Sequence, residues 1–401
     1  MFKSLSLKVI IFGFIFTFFS SFGQSFFLGL FNSSIRAELS ISHGQFGTIY
    51  ASATLLSSLI LIWIGKKIDD VNIFKFASFV IFLLAISSFL FSKISSVIFL
   101  FSSIFLMRLS GQGLMSHTAT TTISRYFDKS RGRALSITWL GLSFAEFILP
   151  ICVIFLLTIF DWRNIWLTIS LLIILLLPIA VTTLVKNLRL DSREVSSDNN
   201  INEIKIKQWT RLEVIKDYKF YIIAANMLAM PWIATGVFVY QSFILSSKNW
   251  GSFIIAQSFM VYSITSVITL FLSGFLIDKF TSRKLLIFMN LPLLLSVGVL
   301  YYFDSSLSAF FFLGLIGISN GLANVLGSST WAELYGVKFI GSIKSLTTAL
   351  MVFSTAFGTA LFGILIDWGF TVEQISLVSG GYISISLISL FLIRNKLNPK
   401  I

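Results

Sequence analysis

The sequence predicts an all-α integral membrane protein with 12 transmembrane helices in two pseudo-symmetric six-helix bundles. Three observations predict it: an apolar composition, a series of hydrophobic windows long enough to cross a bilayer, and an internal repeat that matches one half of the chain to the other.

Of 401 residues, 56% are hydrophobic and only 12% are charged, whereas soluble domains are usually less than half apolar and about a quarter charged. Lipid is therefore the expected solvent. A chain in hydrocarbon must pair every backbone amide internally, which leaves helices or a closed barrel. The long unbroken apolar runs here are not the alternating segments of barrel strands. A single cysteine, Cys152, rules out an internal disulfide, and one Cys with two His is too few soft ligands for a metal centre. No cofactor is expected.

The hydrophobic windows fall at 9–32, 45–65, 73–92, 96–123, 133–159 and 163–185, and after a polar gap at 218–246, 251–275, 284–303, 306–332, 340–366 and 372–393. Lys3 and Lys8 ahead of the first window resemble the start of a signal peptide, but the apolar stretch runs to Phe31 without a small-residue cleavage site, so it is read as a retained span.

Placing the N-terminus in the cytoplasm puts 25 of the 30 Lys and Arg residues on that side. Arg36, Lys93, Arg163 and Lys248 fall outside, and Arg108 falls within a span. This asymmetry follows the positive-inside rule and predicts both termini in the cytoplasm, in a multi-pass protein of the cell (inner) membrane. It also accounts for the net charge of +13 without a nucleic-acid partner. The gap holds many charges of both signs and the run SSDNNINE, so it should be a solvated, partly amphipathic linker. The expected organisation is a six-helix bundle over 1–185, a cytoplasmic linker over 186–217 and a second six-helix bundle over 218–401.

The halves repeat. GKKIDD, from Gly65 to Asp70, returns 209 positions later as GFLIDK, from Gly274 to Lys279, with Asp69 opposite Asp278. The same offset pairs Tyr126 with Tyr335, Gly132 with Gly341 and Ser136 with Ser345, and a one-residue slip pairs GQGL at Gly111 with SNGL at Ser319. Repeats inside membranes place a ligand where the two copies meet.

The segments GKKIDDVNIFKF (Gly65 to Phe76), GFLIDKFTSRK (Gly274 to Lys284) and RYFDKSRGRA (Arg125 to Ala134) make the chain resemble the major facilitator superfamily over essentially its full length. The resemblance implies a monomeric secondary active transporter that moves a small solute by alternating access. It also implies a conformational loop motif at Gly65 and Asp69, and at Gly274, Asp278, Lys279 and Arg283, that latches the cytoplasmic side when the cavity opens outward. The first copy departs from the family pattern, with Asp70 where a basic residue is expected. For Lys66 and Lys67, plain positive-inside anchoring is the alternative.

Only Arg108 and Glu146 are charged and deep in the predicted spans. Such groups are costly in hydrocarbon and count as functional candidates by default. Arg108 precedes Arg125 by about 25 Å of helix, and Glu146 follows Arg133 by about 20 Å, so they sit at similar levels. At about 100° per residue Gln112 and Met115 share the Arg108 face, while Trp139 and Leu142 share that of Glu146. The planar guanidinium suits a substrate carboxylate, and Glu146 is then the proton-coupling residue. A structural ion pair between the two is the alternative.

Gln24, Trp232, Tyr240, Gln241, Tyr262, Asn320 and Asn324 occupy positions that border a central cavity in the superfamily and are weaker substrate-binding candidates beside Gln112. Interhelical hydrogen bonding is the alternative for each. His117 is expected to face a neighbouring helix, Gly23, Gly111, Gly113 and Gly321 to permit close packing, and Trp162 and Trp250 to anchor at the interface. The sequence contains no HExxH, GxSxG or GxxxxGK[ST], so no enzyme activity is expected and a gradient must supply the energy. GLSFAEFILP, from Gly141 to Pro150, lacks the repeated Gly and Pro of some exporters. The expectation is import of a small organic anion by symport with protons. Export of a metabolite or drug by proton antiport, or a sensor on the same fold, are the alternatives.

Overall fold

The computed structural model describes residues 4–127, 131–186, 207–336 and 339–397. Among the described residues, 12 helices are long and apolar enough to cross a membrane, and the chain is a multi-pass membrane protein. The first six are α1 Ser6–Gly23, α2 His43–Lys66, α3 Ile73–Phe91, α4 Val97–Tyr126, α5 Arg133–Leu157 and α6 Trp162–Leu184. The second six are α7 Tyr218–Val239, α8 Ser252–Ile277, α9 Ser282–Tyr302, α10 Ser306–Tyr335, α11 Ile343–Asp367 and α12 Val372–Lys396.

Several starts are fixed by side chains that take the first free amides. Ser42 and Gln45 form a capping box on α2, Thr371 and Gln374 form one on α12, and Asp161 caps α6 through the Arg163 amide.

The chain divides into two compact units. The first contains residues 1–196 with 238–242, and the second contains 197–237 with 243–401. In the first, α1 lies against α5 because glycine lets them meet. A Cβ at Gly141 would strike the Phe14 carbonyl, and the Thr17 hydroxyl donates to the Thr138 carbonyl at 2.5 Å. Trp166 of α6 is fully buried among Phe27, Phe31 and Phe91. In the second unit α8 and α10 are in close backbone contact. Gly317 and Gly321 face the Tyr262 and Ser266 carbonyls, and the Thr265 hydroxyl donates to the Gly314 carbonyl at 2.9 Å.

Residues 187–206 of the polar gap lie outside the described residues. Lys207–Asp217 of the gap belongs to the second unit. A short helix, Arg211–Lys216, starts at a Thr210–Glu213 capping box, and the Thr210 amide holds the Glu213 carboxyl down to about 2. Val214 is fully buried in a cluster with Phe220, Trp331 and Tyr335, and the Trp209 amide donates to the Tyr335 carbonyl at 3.0 Å. Of the four apolar residues of Lys207–Asp217, Val214 and Trp209 pack into this cluster, while Leu212 stays exposed.

Three spans are less regular than their apolar windows predict. The first helix ends at Gly23 instead of running to 32, with Gln24 extended at φ −85° and ψ 153° before the short helix Ser25–Leu28. The seventh ends at Val239, and a separate helix Gln241–Ser247 follows. Within α4, Arg108–Met115 forms a π-helix.

On the membrane side that the sequence leaves poor in Lys and Arg, each unit is stapled by an ion pair at repeat-related positions. In the first, Glu38 beyond α1 accepts from Arg163 of α6 at 2.5 Å and from the Trp162 indole at 3.2 Å. Arg163 also donates to the Ile94 carbonyl between α3 and α4. In the second, Lys248 beyond α7 donates to Glu373 of α12 at 2.7 Å and to Asp304, between α9 and α10, at 2.6 Å. The Trp250 indole donates to the Asp304 carbonyl at 2.8 Å. The acid of one unit thus stands where the other has its base. Trp162 and Trp250, expected as interface anchors, are instead buried in these staples because their N–H groups find protein acceptors.

Lys248 is 3% exposed. Burial alone would lower its pKa, but the hydrogen bonds it donates to Asp304 and Glu373 more than offset this and hold the ammonium above the usual lysine range. Its contribution is complete below the ordinary lysine value and is lost as pH rises through the higher folded-state value. Lys248→Met is expected to cost about 2 kcal/mol, the scale of charge-assisted hydrogen bonds, seen as a lower melting midpoint of purified protein whose remaining alkaline sensitivity is reduced. The exchange K248E/E373K should recover part of the loss, and no recovery would show that the joint does not depend on the pairing of charges.

Candidate functional site

The break in α1 creates the site. With Gln24 extended, the Gly23 carbonyl has no helical amide to accept from, and in lipid an orphan acceptor is expensive. Arg108 supplies the donor: its Nη1 lies 3.1 Å from the Gly23 oxygen and 3.3 Å from the Ser25 hydroxyl oxygen. The guanidinium also lies 5.3 Å from the centre of the Tyr50 ring, a cation–π contact, and the Tyr50 hydroxyl donates to Ser25 at 3.0 Å. Tyr50 and Ser25 escaped the sequence reading. Tyr50 is the one aromatic residue in the small-residue run GTIYASAT of α2, the only local signal for it.

Arg108 is only 2% exposed and its Nε lacks a hydrogen-bond partner. Among the described residues, its guanidinium meets no carboxylate. The π-helix sets what surrounds it. Bonds from i to i+5 replace the ordinary i to i+4 pattern, so the count of 100° per residue does not hold from Arg108 to Met115. Met115 is fully buried, whereas Gln112 is half-buried. The bulge also lets Gly111 and Gln112 approach Gly23, where a Cβ would strike the Met107 carbonyl and the Gln112 amide. Gln24, half-buried, adjoins this crossing through Gly23.

Glu146 is 9% exposed on α5. The parallel register of α1 and α5, with Gly13 and Thr17 against Thr138 and Phe18 against Phe144, sets Glu146 level with Ser20–Gly23. Arg108 and Glu146 therefore flank the same break, yet among the described residues no ion pair joins them. Pro150 sits within the helix one turn on, and its missing N–H leaves the Glu146 carbonyl without its usual donor.

The remaining candidates are dispersed. Tyr240 and Gln241 count with the first unit, where the Tyr240 hydroxyl donates to the His43 carbonyl at 2.8 Å and the Gln241 amide to the Phe26 carbonyl at 2.9 Å. In the second unit, Trp232 is edge-packed on Phe357, Phe362 and Tyr382, with its indole N–H unpartnered. Tyr262 is buried on α8, Asn320 donates to Ser266 at 2.9 Å, and Asn324 is exposed. His117 meets the Gly65 carbonyl at 3.0 Å, so it faces α2.

The sequence matches the profile of the Major Facilitator Superfamily over residues 13–359. The chain belongs to the Major Facilitator Superfamily. Among curated proteins the sequence has no match. Its fold is similar to that of nucleoside transporter NupG, at 15% identity and TM-score 0.73, over 98% of this chain and 99% of that one. It is also similar to a bacterial homologue of the human lysosomal transporter Spinster in an inward-facing, unoccupied conformation. That likeness has 13% identity and TM-score 0.71 and covers 99% of this chain and 98% of that one.

The superfamily's loop signature is held differently in its two copies. After α2, residues of α4 donate into the turn: Arg125 reaches the Ile68 carbonyl at 3.0 Å, and His117 meets Gly65. After α8, Glu333 of α10 accepts from the Ser282 amide at 2.8 Å and the Arg283 amide at 3.4 Å. Glu333 was not singled out from the sequence, where it reads as an acid at a span edge. Lys279 lies over the Phe280 ring, and the side chains of Asp69 and Asp278 lie outside the described residues.

The glycines differ as well. Gly23→Ala is expected to cost about 1–3 kcal/mol, as overpacking does, because its Cβ would strike backbone that cannot give way. Gly274→Ala, with nothing within 4 Å of the added atom, should be neutral in the same melting assay. Equal midpoints for the two variants would refute the close crossing at Gly23.

Proposed function

We propose that this member of the superfamily imports a small organic anion together with protons across the cytoplasmic membrane by alternating access, with both termini in the cytoplasm. One observation carries the proposal: a guanidinium and a carboxyl are buried beside one helix break, and neither meets an opposite charge among the described residues. A buried cation without a counter-ion is costly, and an anionic substrate supplies the missing charge. Arg108 presents a planar set of donors that suits two oxygens at once. Glu146 is the acid on which the coupled proton rides, since a proton cancels its charge where no cation does.

The arrangement also ties binding to shape. Nη1 is spent on the Gly23 carbonyl and Ser25, so an anion that draws the guanidinium away loosens the brace on the α1 break. Binding energy is thereby connected to a change in α1, as a carrier requires and a passive pore does not. Gln24 and Gln112, half-buried beside that break, are the polar groups nearest to a bound solute on this reading.

A melting screen of purified protein against carboxylates, amino acids and nucleosides should give a rise with a carboxylate, because a ligand that binds the folded state raises the midpoint. Nucleosides belong in the panel because one structural neighbour is a nucleoside transporter. With the ligand in hand, Arg108→Ala and Arg108→Lys should both lose uptake while the protein stays in the membrane. Glu146→Gln should keep exchange and lose pH-driven accumulation. Stabilisation by neutral nucleosides alone would sink the anion assignment, and an unaltered pH profile in Glu146→Gln would sink the proton role.

A further inference from the structure

Where α2 ends and α3 begins, the first unit carries an open groove of about 420 Å³ lined by Trp63, Lys67, Val71, Lys75, Phe76 and Phe79. That volume falls in the range of small-ligand sites. Its wall is almost wholly apolar, with two ammonium groups at the rim. Trp63 is 77% exposed, and Phe79 is exposed as well. Among the described residues neither Lys67 nor Lys75 joins a carboxylate, and Asp70, on the same turn, does not line the groove.

The arrangement has a direction. Lys67 lies one turn beyond Trp63 at the end of α2, and Lys75 lies one turn before Phe79 at the start of α3. On both helices the backbone of the aromatic residue is therefore about 6 Å further along the span than that of the lysine. Charge above and exposed ring below is the order of phosphate, glycerol and acyl chain in a lipid, and rings of this kind favour the headgroup boundary. We propose that this groove is a binding site for one anionic phospholipid, its phosphate held between Lys67 and Lys75 and its first methylenes laid on Trp63 and Phe79. The two lysines belong to the basic loops of the chain, on the membrane side where anionic lipid attracts them.

The test is native mass spectrometry of the purified full chain in mild detergent, titrated separately with phosphatidylglycerol and phosphatidylethanolamine. One phosphatidylglycerol should be retained, roughly thirtyfold more tightly than phosphatidylethanolamine, at about a tenfold loss per 1.4 kcal/mol and about 1 kcal/mol per lysine. K67Q/K75Q should abolish that preference, K67R/K75R should restore it, and K279Q/K284Q at the repeat-related loop should leave it intact. Trp63→Ala should weaken retention without removing the preference for the anionic headgroup. Equal retention of both lipids by the unaltered chain, or undiminished preference in K67Q/K75Q, overturns the proposal. So does displacement of the lipid by millimolar inorganic phosphate, which would mark a site for the free anion.

Discussion

Hydrocarbon offers no hydrogen-bond partner, and every departure from regular helix in this protein has to be satisfied from within. The break after Gly23 is the case on which the site depends. A carbonyl released by the extended Gln24 is met by the only basic residue that the sequence places inside a span, and the cation comes with a hydroxyl and a ring that hold it in place. Without the break Arg108 would lose the Gly23 carbonyl as its acceptor. Without Arg108 the break would leave an orphan carbonyl in lipid. Each defect is tolerated because the other is present, and the π-helix in α4 belongs to the same solution, since it lets Gly111 and Gln112 approach Gly23.

Local irregularity of this kind is what the apolar pattern cannot express. The windows located the 12 spans found among the described residues, because hydrophobic length is a sum over about 20 residues and is insensitive to any one of them. The bend at Gln24 lies inside one such window and lowers its hydropathy hardly at all, so a single helix over 9–32 is the natural reading and the wrong one. The same insensitivity hid the π-helix. Its consequence reached further, because the faces assigned around Arg108 used a helical period that the segment from Arg108 to Met115 does not have. Depth is less sensitive to such a bulge than direction is. Arg108 and Glu146 were matched in level by counting residues, and rise per residue changes far less with a bulge than angular position does.

Charge was legible where it followed a statistical rule and illegible where it was paired. The basic loops declared themselves through their asymmetry. The cations on the sparse side looked like exceptions to tolerate, yet Arg163 and Lys248 are each the centre of a staple that gathers the ends of helices distant in sequence. Trp162 and Trp250 went with them. A tryptophan near a span end reads as a lipid anchor unless an acceptor within the protein claims its N–H, and both have one. Likewise the partly amphipathic stretch around Trp209 and Val214 does not itself name a partner, and the aromatic cluster of Trp331, Tyr335 and Phe220 shows where these two dock.

The two halves keep equivalent joints with inverted chemistry. An acid follows the first helix and a base follows the seventh, and each finds its opposite at the start of the last helix of its unit. The loop after α2 is held by donors from α4, and the loop after α8 by an acceptor from α10. Coulomb attraction does not depend on which partner carries which sign, so a joint survives exchange of its charges provided that both members change. A turn likewise exposes both carbonyls and amides, and either can be grasped. A joint can therefore keep its position and pairing while its polarity inverts, so at the staples the repeat is traceable through position and not through the sign of the charge. Arg108 and Glu146 fall outside that rule. Both lie in the first half, beside one break, and the repeat-related positions, Ile316 and Thr355, carry no charge. The repeat accounts for the shared scaffold, and the first half alone carries these two charged groups.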